Sequence, residues 1–133
     1  MRVLCITALL TPLGAYATDL SLRIINAPTS STIHVALFDS PDAYAGKKAL
    51  VSKKLPAQAE ATELIFPGLA PGRYAVRVSA DENGNAALDT NLLGILIERY
   101  GFSNNAKANF GPPDFDAAAV DVDADGQIVI HLR

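Results

Sequence analysis

The stretch GRYAVRVSA, residues 72–80, alternates large apolar side chains with polar or small ones. One face carries Tyr74, Val76 and Val78, and the other carries Arg73, Ala75, Arg77 and Ser79. Successive side chains of an extended chain point to opposite faces, so this period of two predicts a β-strand with one buried face. The turn dipeptide Pro71-Gly72 marks where the strand begins.

The same alternation recurs on both sides of this stretch. Clear strands are predicted at residues 20–24, 32–38, 61–66 and 127–132, and weaker ones at 49–55, 92–98 and 118–123. Turn residues such as Pro67-Gly68 separate them, and no stretch keeps a helical period for more than about one turn. Short alternating strands with such turns predict an all-β fold, an antiparallel β-sandwich of seven to eight strands.

Length and charge limit the class of protein. The chain has 133 residues, of which half are apolar, and this fits a single compact domain. Its net charge is −3, and its 11 basic residues are scattered along the sequence. Because binding to phosphates requires clustered Lys and Arg, nucleic acid is not expected as a partner.

Residues 1–17 have the organisation of a signal peptide. Arg2 precedes an apolar run that is too short to span a bilayer, and Ala15-Tyr16-Ala17 has the small-x-small form of a cleavage site. A buried first strand is the alternative. Cleavage after Ala17 would remove the only cysteine, Cys5, and leave one β-sandwich domain, residues 18–133. No later apolar run is long enough to be a transmembrane segment, so we expect a periplasmic or secreted protein.

A long segment rich in Asn, Gly and Pro, residues 81–116, interrupts the series of predicted strands, and we call it the excursion. Loops beyond ~12–15 residues are uncommon in compact domains unless they are functional or disordered. This segment contains apolar anchors such as Tyr100, Phe102 and Phe115, which disordered segments lack. We therefore expect an ordered, packed excursion at one end of the sandwich.

The first part of the excursion, ADENGNAALDTN, resembles part of a calcium loop. Oxygen-bearing side chains fall at relative positions 1, 3, 5 and 9, which are Asp81, Asn83, Asn85 and Asp89. Ca²⁺ takes several such oxygen ligands on a tightly turning chain. An EF-hand would need glycine in place of Ala86 and glutamate in place of Leu92. Two interpretations stay open: a cluster of Asx turns, or a weak Ca²⁺ site of another type.

A second acidic stretch, DVDADGQI at residues 121–128, also begins like a calcium loop. Asp121 and Asp123 lie on the outward face of a predicted strand, and Leu132 stands where an EF-hand needs glutamate. Asp-Gly is a common two-residue hairpin turn. We therefore predict a hairpin at Asp125-Gly126 and no metal.

Residues 69–120 carry a resemblance to a bacterial family. The blocks DENGN, YGFSNN and GPP occur there in that order, with weaker agreement in STIHVALFDSPDAY and IVIHL. In these blocks the chain resembles the family called domain of unknown function 2141, whose members are secreted or periplasmic. The resemblance implies an all-β domain, Ig-like or transthyretin-like, and no established reaction. Ala80, Leu96 and Arg99 stand where the family usually has His, Pro and Gly, so no role is transferred to Ala80.

Signs of an active site are weak. His34 and His131 lie in separate strands, neither has a second His or a Cys at metal-ligand spacing, and there is no G-x-S-x-G motif. Four carboxylates could supply a glycosidase pair, but nothing defines their separation: Glu82, Glu98, Asp114 and Asp116. We therefore do not expect an enzyme, and a hydrolase ranks third among the functions considered.

The function expected from these features is a non-enzymatic binding module that uses the excursion 81–116. Its contacts are predicted to come from aromatic rings and amides, namely Tyr100, Phe102, Ser103, Asn104 and Asn105. The ligand would be a saccharide, a peptide or an envelope protein. The alternative is a structural or accessory domain of the cell envelope. Exposure of Tyr100 and Phe102 would favour the first function, and their burial the second. No cofactor is expected beyond the Ca²⁺ already considered.

Overall fold

The computed structural model of the chain describes residues 17–82, 98–108 and 111–133. These ranges contain eight strands: β1 Thr18–Ile25, β2 Thr32–Phe38, β3 Val51–Pro56, β4 Ala61–Leu69, β5 Gly72–Asp81, β6 Tyr100–Phe102, β7 Val120–Val122 and β8 Gly126–His131. They also contain two short α-helices, α1 Pro41–Ala45 and α2 Phe115–Ala118, and a short 3-10 helix at Ser103–Asn105. None of the helices in these ranges is long and apolar enough to cross a membrane.

The strands form two facing sheets. The smaller sheet has the order β4-β1-β8, and the larger has the order β3-β2-β5-β6, with β7 paired to the start of β5. Every pairing is antiparallel except that of β1 with β8, which is parallel. The predicted all-β sandwich is therefore confirmed, with one parallel pairing that local patterns did not predict.

The core lies between the sheets and is built from the apolar positions of the alternating strands. It includes Leu22 and Ile24 of β1, Val76 and Val78 of β5 and Ile130 of β8, all fully shielded from solvent. In β1 the side chains at alternate positions are buried and those between them are partly exposed, as the period of two predicts. Burial of apolar surface is the main stabilising contribution to such a sandwich.

The pairing of the first strand decides between sandwich types. In the immunoglobulin fold the first strand belongs to a sheet of order ABED and so pairs with the second. Here β1 pairs with β4 and β8, whereas β2 lies in the other sheet. The order therefore departs from the immunoglobulin one, and the transthyretin-like type stays an expectation from the resemblance.

The predicted strands and turns have different outcomes. The five clear strands are confirmed as β1, β2, β4, β5 and β8, and the weaker ones at 49–55 and 118–123 as β3 and β7. The stretch 92–98 lies outside the described residues except for Glu98. The hairpin predicted at Asp125-Gly126 is wrong: β7 pairs with β5 and β8 with β1, so the chain crosses between sheets there. Asp125 Oδ1 instead accepts a hydrogen bond from Asp19 N at 2.7 Å.

Candidate functional site

The face of the larger sheet that points away from the core brings together a histidine, an arginine, an aspartate and a tyrosine. We call it the outer face. Its residues are His34, Ala36 and Phe38 of β2, Ala75, Arg77, Ser79 and Asp81 of β5, and Tyr100 and Phe102 of β6. The strand register aligns them in rows across the sheet, with Ala36, Arg77 and Phe102 in one row and His34, Ser79 and Tyr100 in the next. Polar groups from three strands thus meet on one surface.

An aromatic cluster covers one end of the outer face. The ring of Tyr44, from α1, meets Phe38 edge-on at 5.3 Å and Phe115 of α2 at 6.0 Å between centroids. Ser40 caps α1 by accepting a hydrogen bond from Ala43 N, a common way to satisfy the first turn of a helix. This second, smaller core packs α2 against β5, and α1 against α2 and the end of β2.

The Tyr44 hydroxyl is locked into this cluster. It donates a hydrogen bond to the Pro113 carbonyl at 2.6 Å. Burial raises the pKa of Tyr44 to about 12, an effect partly opposed by Arg77 and reinforced by Asp114. Tyr44 is therefore a neutral hydrogen-bond donor at physiological pH, and its role here is to join α1 to the segment before α2.

Arg77 lies in the middle of the outer face. Its guanidinium carbon is 5.3 Å from the centre of the Phe38 ring, a cation–π distance. The side chain is half-buried. Burial lowers the pKa of Arg77 from its ordinary value, and the nearby Tyr44 acts in the opposite direction. The sheet thus holds a partly desolvated cation beside aromatic rings.

A histidine–aspartate pair occupies the other end of the outer face. His34 Nε2 lies 3.3 Å from Asp81 Oδ2, and their side chains are 25% and 3% exposed. The residues sit diagonally on neighbouring strands, since Asp81 is opposite Thr32 in the register. Sequence reasoning treated His34 as an isolated strand histidine. It missed the pair because only the β2–β5 register brings the two side chains together.

The excursion leaves and re-enters the sheet next to this pair. Ala80 N donates to the Arg99 carbonyl at 3.0 Å, and Glu82 N donates to Glu98 Oε2 at 3.4 Å. Arg99 Nη1 in turn donates to the backbone and side-chain oxygens of Asn26. Both limbs of the excursion are therefore tied to the end of the larger sheet.

The block YGFSNN fixes the returning limb. Ser103 is fully buried: its hydroxyl accepts from Val76 N at 2.8 Å and donates to the Ala118 carbonyl. Asn104 and Asn105 follow with φ of 60° and 48°, a left-handed conformation that asparagine tolerates better than most residues. Asn104 Nδ2 donates to the Ala119 carbonyl at 2.6 Å. These internal hydrogen bonds hold the block against β5 and the end of α2, and we call residues 100–105 the clamp.

The predicted ligand-binding residues occupy different environments. Phe102 and Ser103 are fully buried, so they support the surface instead of forming it. Asn105 Oδ1 accepts from His131 N at 2.9 Å, and its amide, like that of Asn104, is turned to the protein backbone. Tyr100 is half-buried beside Phe102, with ring centres 5.8 Å apart. Ligand binding by these five residues stays a prediction. Tyr100 is the one whose ring is partly open to a ligand.

The predicted metal ligands are described only in part. Asp81 ends β5 and is buried against His34. The other three, Asn83, Asn85 and Asp89, lie outside the described residues. Within the described ranges no group of three or more His, Cys, Asp or Glu side chains is arranged to hold a metal ion. Calcium binding stays a prediction.

Three residue types of a hydrolase triad are neighbours on the outer face. Ser79 is opposite His34 in the register, and Asp81 contacts His34 through Nε2. In a serine hydrolase the carboxylate holds Nδ1 and leaves Nε2 for the nucleophile. In α/β-hydrolases the N–H of the residue after the nucleophile binds the oxyanion, whereas here Ala80 N is bonded to the Arg99 carbonyl. The geometry is that of a cross-strand pair and does not suit acyl transfer.

Comparison with known proteins identifies one family. Residues 25–130 match the family described as "Uncharacterized protein conserved in bacteria (DUF2141)". The chain belongs to this family. The match extends from the end of β1 to β8 and includes the whole outer face and its clamp. No curated protein and no solved structure matches the chain significantly.

Proposed function

We propose that this chain is an exported, non-enzymatic binding module of the bacterial cell envelope. In this proposal the ligand is recognised where the excursion 81–116 meets the outer face. The observation that carries it is the attachment of both limbs at one place, through Ala80 to Arg99 and Glu82 to Glu98. Contact groups mounted on a fixed frame lose little conformational entropy when they bind.

The side chains available for recognition are those that the fold leaves partly open. His34, Arg77 and Tyr100 are half-buried and lie in adjacent rows of the outer face. Together they offer an imidazole, a guanidinium and a phenol, which suit a saccharide, a peptide or a surface of an envelope protein. Phe102 and Ser103, buried beneath, hold this surface in place.

A structural or accessory role in the cell envelope is the second candidate. It is favoured by the burial of Phe102 and Ser103 and by the internal hydrogen bonds of Asn104 and Asn105. In that role the clamp closes the end of the sandwich, and the outer face contacts no specific ligand.

Binding to an array of bacterial envelope glycans and peptides tests the proposal. We expect saturable binding by the wild-type domain that Tyr100→Ala removes while the melting temperature stays nearly unchanged. Ile65→Ala is the matched control, because Ile65 is 49% exposed on the opposite sheet. Phe102→Ala should instead lower the melting temperature, since it empties a buried site.

Two results would contradict the proposal. Binding to no array member by a folded wild-type domain would support the structural role. Turnover of an ester, glycoside or peptide substrate that is lost in Ser79→Ala would show that the site is catalytic.

A further inference from the structure

Among the arginines of the described ranges, Arg77 differs in that its guanidinium donates no hydrogen bond to an oxygen of those residues. Each of the others in the described ranges has an oxygen within reach: Arg23 has Glu63, Arg73 has Asp116 and Asp121, Arg99 has Asn26, and Arg133 has Asn105. Arg77 has a ring contact with Phe38 and a charge interaction with Tyr44, but no oxygen of the described residues accepts a hydrogen bond from it. The guanidinium carries five N–H donors that need acceptors.

The contrast with Arg73 is the most informative. Both arginines lie over a phenylalanine ring, Arg73 at 5.7 Å from Phe115 and Arg77 at 5.3 Å from Phe38. The Arg73 side chain is 52% exposed and still has carboxylates 3.4 and 3.9 Å away. Arg77 is more buried and has none. Water solvates a half-buried cation less well, so it gains more from an anionic partner than an exposed one does.

The surroundings of Arg77 also suit a ligand. Its cross-strand neighbour on β2 is Ala36, whose single methyl group is the smallest side chain that still has a Cβ. In the next row Tyr100 is half-buried and carries a hydroxyl group, whereas Ser79 beside it is buried. A small molecule with an anionic group on Arg77 would therefore place its neutral part beside the ring and hydroxyl of Tyr100.

We propose that Arg77 binds a carboxylate group of the ligand, an inference that rests on the proposed binding role of the outer face. The planar guanidinium matches a carboxylate with two parallel hydrogen bonds. A single carboxylate charge also balances a single guanidinium. A phosphate dianion would require further cations, whereas Asp114 lies near this end of the face and the whole chain is acidic, with a net charge of −3.

The test is an NMR titration of the arginine Nε–Hε signals of the mature domain with sodium glucuronate and sodium acetate. The Arg77 signal is assigned in the wild-type domain by through-bond correlations from its side chain to its own backbone. We expect it to shift saturably with both probes, while the other arginine signals follow a sodium chloride titration at matched ionic strength. Glucose is the neutral control and should not shift it. Inorganic phosphate at the same ionic strength should shift it without saturation.

Variants identify the group that binds. Arg77→Lys keeps the charge but loses the planar fork, and it should weaken glucuronate binding, measured by calorimetry, by about tenfold or more. Arg73→Lys is the matched control and should leave binding unchanged. The wild-type titration needs no variant, so it decides the matter even if Arg77→Lys fails to fold.

Several outcomes would overturn the carboxylate site. These are a linear, unsaturable response of Arg77 to both carboxylates, saturation by phosphate alone, or wild-type affinity in a folded Arg77→Lys. Failure of this inference is separable from failure of the proposed function. Array ligands whose binding requires Tyr100 but not Arg77 would contradict the carboxylate site and would still support the proposed binding function. Glucuronate bound at Arg77 in a protein that also turns over substrate through Ser79 would support the site and contradict the non-enzymatic role.

Discussion

Gly101 packs its backbone directly against Ile130. A Cβ atom added to this glycine would lie 2.6 Å from Ile130 Cγ2 and 2.9 Å from Leu132 Cδ2, closer than real Cβ contacts. The strands that meet here belong to different sheets, and Tyr100 and Arg133 exchange backbone hydrogen bonds beside the contact. The glycine of the YGFSNN block therefore permits β6 to close the side of the sandwich.

Gly101→Ala should reduce the free energy of unfolding by about 1–3 kcal/mol, because an extra methyl group overfills a packed core. Urea unfolding measures the loss. Gly126→Ala is the control: its added Cβ would have no atom nearer than 3.8 Å, so a change within about 0.5 kcal/mol is expected. Equal losses in the two variants would contradict the close-approach explanation.

Asn105 protects an edge of the smaller sheet. Its side chain accepts from His131 N and donates to the Val129 carbonyl, and so occupies backbone groups of β8 as a neighbouring strand would. Unpaired strand edges promote association between chains. Asn105→Ala should therefore lower the free energy of unfolding by about 1–3 kcal/mol and increase self-association in sedimentation velocity.

Asn105→Gly separates the two causes of this loss. Glycine relieves the left-handed backbone, which has φ of 48°, but does not restore the hydrogen bonds. It should recover part of the stability and none of the protection against association. A monomeric Asn105→Ala protein with wild-type stability would contradict the edge-protection role.

Stability at high pH should depend on Tyr44. Burial raises the pKa of its hydroxyl from 10.0 to about 12, so below pH 10 the group is protonated in both folded and unfolded states. Between pH 10 and 12 the unfolded chain loses the proton first, so the free energy of unfolding falls as pH rises. The Tyr44 contribution to this fall is about 1–2 kcal/mol after allowance for partial solvent exposure.

Tyr44→Phe is the variant that isolates this contribution. It should be less stable near neutral pH, because the hydrogen bond to Pro113 is lost, and should lose less stability above pH 10. Some pH dependence remains in the variant, since burial also raises the pKa of Tyr74. Urea unfolding at several pH values measures both slopes. Identical slopes would show that Tyr44 titrates as a solvated phenol.

Calcium binding is tested by thermal unfolding with and without millimolar Ca²⁺. If Asp81, Asn83, Asn85 and Asp89 bind the ion, Ca²⁺ should raise the melting temperature, because a ligand specific for the native state stabilises it by mass action. Asp89→Ala should abolish the increase, and Asp123→Ala, an exposed aspartate of the other acidic stretch, should not. An unchanged melting temperature together with no heat in a calorimetric titration would contradict Ca²⁺ binding and favour the interpretation of this stretch as a cluster of Asx turns.

Processing after Ala17 predicts a mature chain that starts at Thr18 and contains no cysteine. In the structure Thr18 is the first residue of β1 and lies opposite Leu69 in the register with β4. Intact-mass analysis of the exported protein checks the prediction. A mass that includes Met1 or Cys5 would contradict it.

Much of the fold could be predicted from local pattern. In β5 the alternation of Tyr74, Val76 and Val78 with polar or small residues specifies the extended conformation and the face that meets the core, because the period of two is a property of neighbouring residues. The prediction that only this face is buried is wrong, since Ala75 and Ser79 on the other face are buried too. The three residues of β6 escaped prediction because they are too short to show a period. The short helix α2 likewise has only four residues, less than is needed to reveal a helical pattern.

The candidate site was predicted less well, and for a physical reason. The types of residue in YGFSNN suggested a binding surface. The same aromatic ring or amide, however, contacts a ligand when it is exposed and stabilises the fold when other elements cover it. Burial of Phe102 and Ser103 and the hydrogen bonds of Asn105 are decided by β5, α2 and β8. The hairpin predicted at Asp125-Gly126 is wrong for the same reason: the strands on either side of it pair with other strands, β7 with β5 and β8 with β1.

The sequence by itself determined the all-β class, the positions of the longer strands and the side chains that face the core, because each follows from alternation over a few residues. Tertiary structure alone decided that His34 meets Asp81, that Gly101 fits against Ile130 and that Arg77 lies over Phe38 without an ion pair among the described residues. These contacts depend on strand order and register. Those are set by the packing of the whole domain, and no local stretch encodes them.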